Sequence, residues 1–327
     1  MKTFRHYDAR SEEDALAMLS HFGNRATLLA GGTDLLGILK TEVRDDYPEA
    51  VINLKTVAGM DKIQFDSGIL HIGAMARLAD ITTSSKLKEV FPIIADAAAS
   101  VGSPELRNMA TIGGNLCQDT RCWYYRYPDQ MGGSIPCYRK NKGACHAIAG
   151  DNRYHAIFNG KKCYAVCPSD MATALAAMDA RLIIKGPQGR RTVNIEDFYD
   201  IFGPKLETND IVTRIDIFLS GTENRQKFLK FRLREAIDFA VVSVAVYLSM
   251  SCGICRTASI VLGGVAPTPL RVDAAEEIVK GKPINESIAA KAAEAAVAGA
   301  KPLSKNGYKV DLTRTLVRRA LLDSKAP

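Results

Sequence analysis

No apolar run in the 327 residues approaches the roughly 20 that a helix needs to cross a bilayer, which excludes a helical membrane span. The opening residues, MKTFRHYDARSEEDALAML, hold no apolar h-region. A chain without a secretory signal of its own is therefore expected in the cytoplasm, and in the periplasm only if exported with a signal-bearing partner. Internal repeats and low-complexity tracts are missing. With 47% hydrophobic and 24% charged residues, the composition excludes a disordered or fibrous chain and suggests two or three globular domains. The five histidines, His6, His21, His71, His146 and His155, fall at no metal-ligand spacing. No Ser-His-Asp or paired-carboxylate arrangement stands out. The absence of both GxGxxG and a P-loop argues against a Rossmann domain or an NTPase.

Cysteine is plentiful by contrast. Six of the eight, Cys117, Cys122, Cys137, Cys145, Cys163 and Cys167, fall within 51 residues, and Cys252 and Cys255 stand apart. In a chain of this size a disulfide framework is not expected, so the cluster implies a metal or redox site. The core spacing, Cys122-x14-Cys137-x7-Cys145-x17-Cys163, is too wide for the paired C-x2-C knuckles of a zinc ribbon. An iron–sulfur cluster, zinc and free thiols all remain open on spacing alone. Charge gathers in the same place. Between Arg121 and Cys163 there are eight Lys or Arg against Asp129 and Asp151, which is +6 of the chain's formal +7. Five of the eleven tyrosines and the single tryptophan, Trp123, lie there too. A basic, aromatic segment suits nucleic acid; it equally suits an anionic four-thiolate cluster, whose charge Lys and Arg would stabilise.

Hydrophobic periodicity divides the chain further. Residues 1–55 read as helix (Asp14 to Phe22), strand (Thr27 to Ala30), glycine turn, helix (Leu35 to Lys40) and strand (Ala50 to Leu54), a small α/β unit. Residues 56–220 mix short strands with helices at Phe91–Ser100 and Asp170–Ala180. Residues 118–168 interrupt them as a polar, Cys-rich insertion that needs a staple to be ordered. A turn at Gly221-Thr-Glu-Asn224 marks a boundary. Beyond it, 225–327 should form strands (Phe239 to Met250, Ala258 to Leu262) and then helices (Ser287 to Ala300, Leu312 to Leu322).

Three motifs bear on chemistry. Leu28-Leu29-Ala30-Gly31-Gly32-Thr33-Asp34-Leu35 runs from strand through two glycines into a helix, where the backbone can approach a ligand and N–H groups can meet phosphate oxygens. Thr111-Ile112-Gly113-Gly114-Asn115 repeats the device about 80 residues later, and the pair could clamp one pyrophosphate between two subdomains. Cys167-Pro168-Ser169-Asp170 starts a helix; its Ser and Asp suit capping, and Asp170 suits hydrogen bonds from a ribose.

Together, the AGGTDL and TIGGN pair and Leu262-Gly-Gly-Val-Ala-Pro-Thr-Pro-Leu-Arg271 resemble the FAD-binding medium subunit of the molybdenum hydroxylases, the xanthine dehydrogenase and carbon monoxide dehydrogenase family. The resemblance spans essentially the whole chain. It implies an α+β architecture: a two-subdomain FAD-binding fold of the vanillyl-alcohol oxidase (PCMH) type, followed by a C-terminal α+β domain of the carbon monoxide dehydrogenase flavoprotein type. Leu28 to Leu35 would wrap the FAD pyrophosphate and Thr111 to Asn115 would close the clamp. Asp170 would take the adenosine ribose, while Val101, Val212 and Lys230 fall where the family meets the isoalloxazine or its surroundings. The insertion resembles that of two subgroups, the 4-hydroxybenzoyl-CoA reductases and the periplasmic aldehyde oxidoreductases. These carry an additional [4Fe-4S] cluster whose ligand order Cys122, Cys137, Cys145 and Cys163 match; Cys117 and Cys167 match none. The implied partners are a large molybdopterin-binding subunit, a small subunit with two [2Fe-2S] clusters, and an external electron donor or acceptor, with no role for nucleic acid. The implied role is electron transfer rather than catalysis on the substrate, which would be an aromatic CoA thioester or an aldehyde. A freestanding FAD oxidase of the vanillyl-alcohol type and an N-heterocycle hydroxylase subunit are the competing expectations.

Overall fold

In a computed structural model, which describes residues 1–128, 133, 135–218 and 223–324, the chain carries three larger sheets, of three, five and four strands, and a two-stranded one. The first is built from β1 (Arg5–Asp8), α1 (Glu12–Phe22), β2 (Ala26–Leu29), α2 (Leu35–Thr41) and β3 (Ala50–Asn53). Both pairings are parallel, in the order β1-β3-β2. The central strand, Ala-Val-Ile-Asn, is buried at every position, as a parallel strand covered on both faces should be. Ser11 caps α1 by accepting from the Asp14 N–H, ahead of three acids in the first turn that complement the helix dipole.

The middle part begins with the hairpin β4 (Ile63–Asp66) and β5 (Ile69–Gly73). Then come α3 (Leu78–Thr83), α4 (Ser85–Val90), α5 (Pro92–Ser100), α6 (Pro104–Met109) and α7 (Ile112–Leu116). Among the described residues the cysteine segment contributes only α8 (Trp123–Arg126) and two single 3₁₀ turns before α9 (Asp170–Ala177). Strands β6 (Arg181–Gly186) and β7 (Gly189–Asn194), the small pair β8 (Tyr199–Asp200) and β9 (Gly203–Pro204), and β10 (Ile211–Phe218) complete it. The five strands run antiparallel in the order β4-β5-β10-β6-β7, with a bulge in β10 between Val212 and Arg214. All eight residues of α9 are buried, because it packs between α5 and the next sheet.

That sheet is the antiparallel set β11 (Asn224–Phe231), β12 (Val242–Ser251), β13 (Ile254–Gly263) and β14 (Leu270–Arg271). Helices α10 (Asp273–Val279), α11 (Glu286–Val297) and α12 (Tyr308–Leu322) cover one face of it. The turn expected at Gly221 to Asn224 lies partly outside the described residues, as does Asp129.

The cysteine segment is docked on the C-terminal helices. Ile157 and Phe158 join their apolar core, and both donate to the Val265 carbonyl. Fully buried Lys309 on α12 donates to the carbonyls of Gly264 (2.6 Å), Tyr154 and His155 (3.2 Å each), and burial pulls its amine down to about 7. No helix among the described residues is long and apolar enough to cross a membrane.

Candidate functional site

Both glycine turns form where the motifs place them, and they abut. Gly32 sits at φ +75°, a left-handed conformation that costs glycine little. Gly31 has ordinary dihedrals, but a Cβ there would overlap the Met109 carbonyl just ahead of the second turn. In that second turn Thr111 caps α7, its hydroxyl accepting from the Gly114 N–H at 3.1 Å. A Cβ on Gly114 would come within 3.5 Å of the Ala30 methyl. A Cβ on Gly113 would press on Ala74 at 2.8 Å. Gly31 therefore lets the two segments meet backbone to backbone, while Gly113 lets the second turn pack closely on Ala74.

Two cavities lie against this junction. The larger, about 470 Å³, is bounded by Leu28, Ala30 to Leu35, Thr111 and Gly114 on one side and by Tyr199, Phe202 and Thr208 on the other. The smaller, about 160 Å³, is lined by Val101, Asn115, Asp170, Lys230 and Phe239. Thr33, Asp34, Gly114, Gln118 and Pro168 line both, so the turns are the wall the two cavities share. Of the remaining candidates, Leu29 is a half-buried strand residue, Ile112 and Gly113 are buried behind the turn, and Val212 lies in the core opposite Ile184. None of these four lines either cavity.

Lys230 and Asp170 form a buried ion pair at 2.6 Å, each side chain 4% exposed, and Lys230 also donates to the Ser100 carbonyl. Burial pushes the Asp170 carboxyl up, and Lys230 opposes that shift. Removing one partner of such a pair is worse than removing both. Lys230→Met is expected to lower the unfolding free energy by about 3 kcal/mol, read from the urea midpoint. Adding Asp170→Asn should restore much of the loss, and a double variant as weak as the sum of the two singles would refute the pairing.

The cysteine segment reaches into both cavities. Asp34 accepts from Arg126 Nη2 (2.8 Å) and the Asp119 N–H (2.8 Å), and forms an ion pair with Arg121, whose Nη2 lies 2.9 Å away. Asp119 in turn accepts from Arg44 (2.8 Å) and the Tyr125 hydroxyl (2.6 Å). Burial alone would raise Asp119, but these partners and Arg139 hold it below the usual carboxylate range. Arg121 stacks on Phe239 at 4.6 Å, and its Nε–H, in the wall of the smaller cavity, is buried without a partner among the described residues. The segment's excess of positive charge is thus partly matched by Asp34, from the first glycine motif, and by Asp119 at the segment's own start.

The thiols of Cys122, Cys145 and Cys163 are met by donors. Cys122 receives the backbone N–H groups of Tyr124 and Tyr125, and Cys145 those of Ala147 and Tyr164. Cys163 accepts from the Ala165 N–H and from Arg139 Nε, both at 3.4 Å. His155 Nε2 lies 3.2 Å from the Cys122 sulfur. Burial and nearby Lys309 depress His155 to about 4, which keeps the ring neutral. Burial raises Cys122 to about 12, so a thiolate there needs a positive centre beside it. Among the described residues no three His, Cys, Asp or Glu side chains close on one point as ligands of a single metal ion do.

The remaining cysteines divide. Cys117 and Cys167 line the larger cavity. Cys252 is exposed at the β12–β13 turn with φ +51°, whereas Cys255 is buried, so this C-x2-C presents no common face. Arg44 and Tyr199 escaped the sequence reading, while Arg121, Arg126 and Arg139 entered it only as part of the basic stretch, without their partners. Their partners are 75 to 92 residues away in the chain for the Arg44–Asp119 and Arg126–Asp34 pairs, and no local pattern reports such pairings.

Comparison with known proteins follows the same division of the chain. Residues 2–217 match the model of the FAD binding domain in molybdopterin dehydrogenase, and residues 227–324 that of the CO dehydrogenase flavoprotein C-terminal domain. The chain is 31% identical over 311 residues to an aldehyde oxidoreductase FAD-binding subunit of Escherichia coli (strain K12), covering 92% of each. It is 27% identical over 329 residues to a carbon monoxide dehydrogenase medium chain of Afipia carboxidovorans, covering 99% of this chain and 97% of the other. Among solved structures it superposes on a carbon monoxide dehydrogenase from Hydrogenophaga pseudoflava with TM-score 0.78 and 26% identity, covering 98% of this chain and 96% of that one. The quinoline 2-oxidoreductase of Pseudomonas putida 86 gives 0.77 at 25%, covering 99% and 98%. The chain belongs to the FAD-binding medium subunits of the molybdenum hydroxylases, and is a flavin subunit, not itself catalytic, of a multi-subunit oxidoreductase.

Proposed function

We propose that the chain holds FAD across its two cavities and a [4Fe-4S] cluster on Cys122, Cys137, Cys145 and Cys163. In this role it passes electrons between a large molybdopterin-binding subunit with a small two-[2Fe-2S] subunit and an external redox partner. The observation that carries the flavin reading is the shared wall, two abutting glycine turns with a cavity on either side. The unpartnered Arg121 Nε–H in the smaller cavity is a further donor suited to a polar ligand. FAD, when bound, supplies the exchange between two-electron and one-electron steps.

The protein's own part is to bind and orient. Leu28 to Leu35 and Thr111 to Asn115 would hold the pyrophosphate at the junction, with the ADP half in the larger cavity. Val101 and Lys230 would meet the isoalloxazine in the smaller. Asp170 shares that cavity and is paired to Lys230. We therefore assign it to the isoalloxazine end, at the opposite end of FAD from the adenosine ribose expected from sequence. Val212, in the core, would act only through its neighbours. Three units, 1–55, 56–220 and 225–327, are proposed as the domains, and the three larger sheets support that division.

For the cluster, the supporting chemistry is the set of N–H groups aimed at the sulfurs of Cys122, Cys145 and Cys163, together with Arg139 beside Cys163. Such donors stabilise a four-thiolate centre and raise its potential. An aldehyde is the substrate class favoured for the assembled enzyme, on the 31% identity to an aldehyde oxidoreductase subunit. The test is to purify the chain with its co-expressed partners and assay both reduction of an oxidised dye by aromatic aldehydes and oxidation of a reduced viologen by aromatic CoA thioesters. Turnover of aromatic aldehydes supports the assignment, and turnover of aromatic CoA thioesters alone replaces it.

A further inference from the structure

Asp34 follows the Gly31-Gly32-Thr33 turn directly and lines both cavities. Its Oδ1 accepts from Arg126 and forms an ion pair with Arg121, and its Oδ2 accepts from the Asp119 N–H at 2.8 Å. All three partners belong to the stretch around Cys122, with Arg121 one residue before it and Arg126 four after. Arg126 is tied down on its other side as well, its Nε donating to the Thr120 carbonyl at 2.7 Å and its Nη2 to the Asp119 carbonyl at 3.0 Å. The Asp34 carboxylate is 14% exposed and the Arg126 side chain 18%. Unlike Arg121, Arg126 lines neither cavity.

A two-glycine turn has little stiffness of its own. A partly buried carboxylate held by two guanidinium groups and a backbone N–H is a strong, directional anchor. Resting on the reading that the cavities take FAD, we propose that Arg126, with Arg121, is a positioning residue for the flavin. Acting through Asp34, it fixes the turn that lies against the pyrophosphate. The order of the cysteine segment and the affinity for flavin are then linked, and by reciprocity each favours the other.

The test uses the full-length chain, deflavinated and titrated with FAD. Arg126→Met is expected to raise the Kd about tenfold, a loss within the range of a charge-assisted hydrogen bond. Arg126→Lys should recover part of that loss. Asp34→Asn should weaken binding comparably, and the double variant should be no weaker than the weaker single, because the two act through one contact. At saturating FAD the visible circular dichroism of the bound flavin should differ in Arg126→Met. A role in folding alone would lower only the active fraction and leave that band unchanged. Should Arg126→Met fail to fold, Arg126→Lys and Asp34→Asn carry the same comparison. An unchanged Kd, or single effects that multiply in the double variant, overturns the proposal. A wild-type chain that takes up no FAD instead removes the functional reading beneath it.

Discussion

Gly31→Ala is expected to yield a chain that no longer retains FAD through gel filtration, with a Kd raised a hundredfold or more. The added methyl would occupy the place of the Met109 carbonyl, and backbone cannot swing aside as a side chain end can. The two turns must separate, and the wall common to both cavities is lost with them. Stability should fall too, by about 2 to 3 kcal/mol, as overpacking at a tight contact does. Gly37→Ala, two residues into α2, is the matched control, since a Cβ there meets nothing within 4 Å. In a helix interior that change should be neutral or stabilising by up to about 1 kcal/mol. Flavin titration and urea unfolding of the two variants check both halves. Equal flavin affinity in both would place the ligand away from the junction.

Replacing any of Cys122, Cys137, Cys145 and Cys163 by Ser is expected to remove the iron while FAD still binds at saturating flavin. A cluster loses its hold when one of four thiolates is replaced by a hydroxyl, whereas none of these four side chains lines either cavity. Cys252→Ser and Cys255→Ser should leave iron content unchanged, one being a surface turn residue and the other packed in the C-terminal core. Iron and sulfide analysis of the six variants decides it. Full iron in any of the first four variants would remove that residue from the ligand set.

Much of the fold was readable because periodicity is local. The helices expected to begin at Leu35 and Asp170 begin there, and the Ala-rich stretch expected from Ser287 to Ala300 is helical over Glu286–Val297. The expected strand from Phe239 starts instead at Val242, because 232–241 form a loop in which Ile237 takes a left-handed φ of +57°. The glycine turns were legible for a related reason, since doubled glycines between a strand and a helix mark close backbone approach whatever surrounds them. What escaped notice is the long-range chemistry. The basic residues of the cysteine segment looked like surroundings for an anionic cluster, yet Arg121 and Arg126 answer to Asp34, whose carboxylate comes from the first glycine motif. The grouping of Asp170 with Val101 and Lys230 in one cavity likewise depends on how α9 packs against β12 and β13, which no window of sequence encodes.

The central claim is that one chain carries both a flavin and a cubane cluster. Anaerobic purification of the full-length chain, with flavin, iron and sulfide analysis and spectra before and after dithionite, tests it most directly. The account predicts about one FAD with about four iron and four sulfide per chain, and a broad absorption at about 400 nm that bleaches on reduction. Flavin with zinc or with no metal would contradict the cluster, and iron without flavin would contradict the assignment of the two glycine turns.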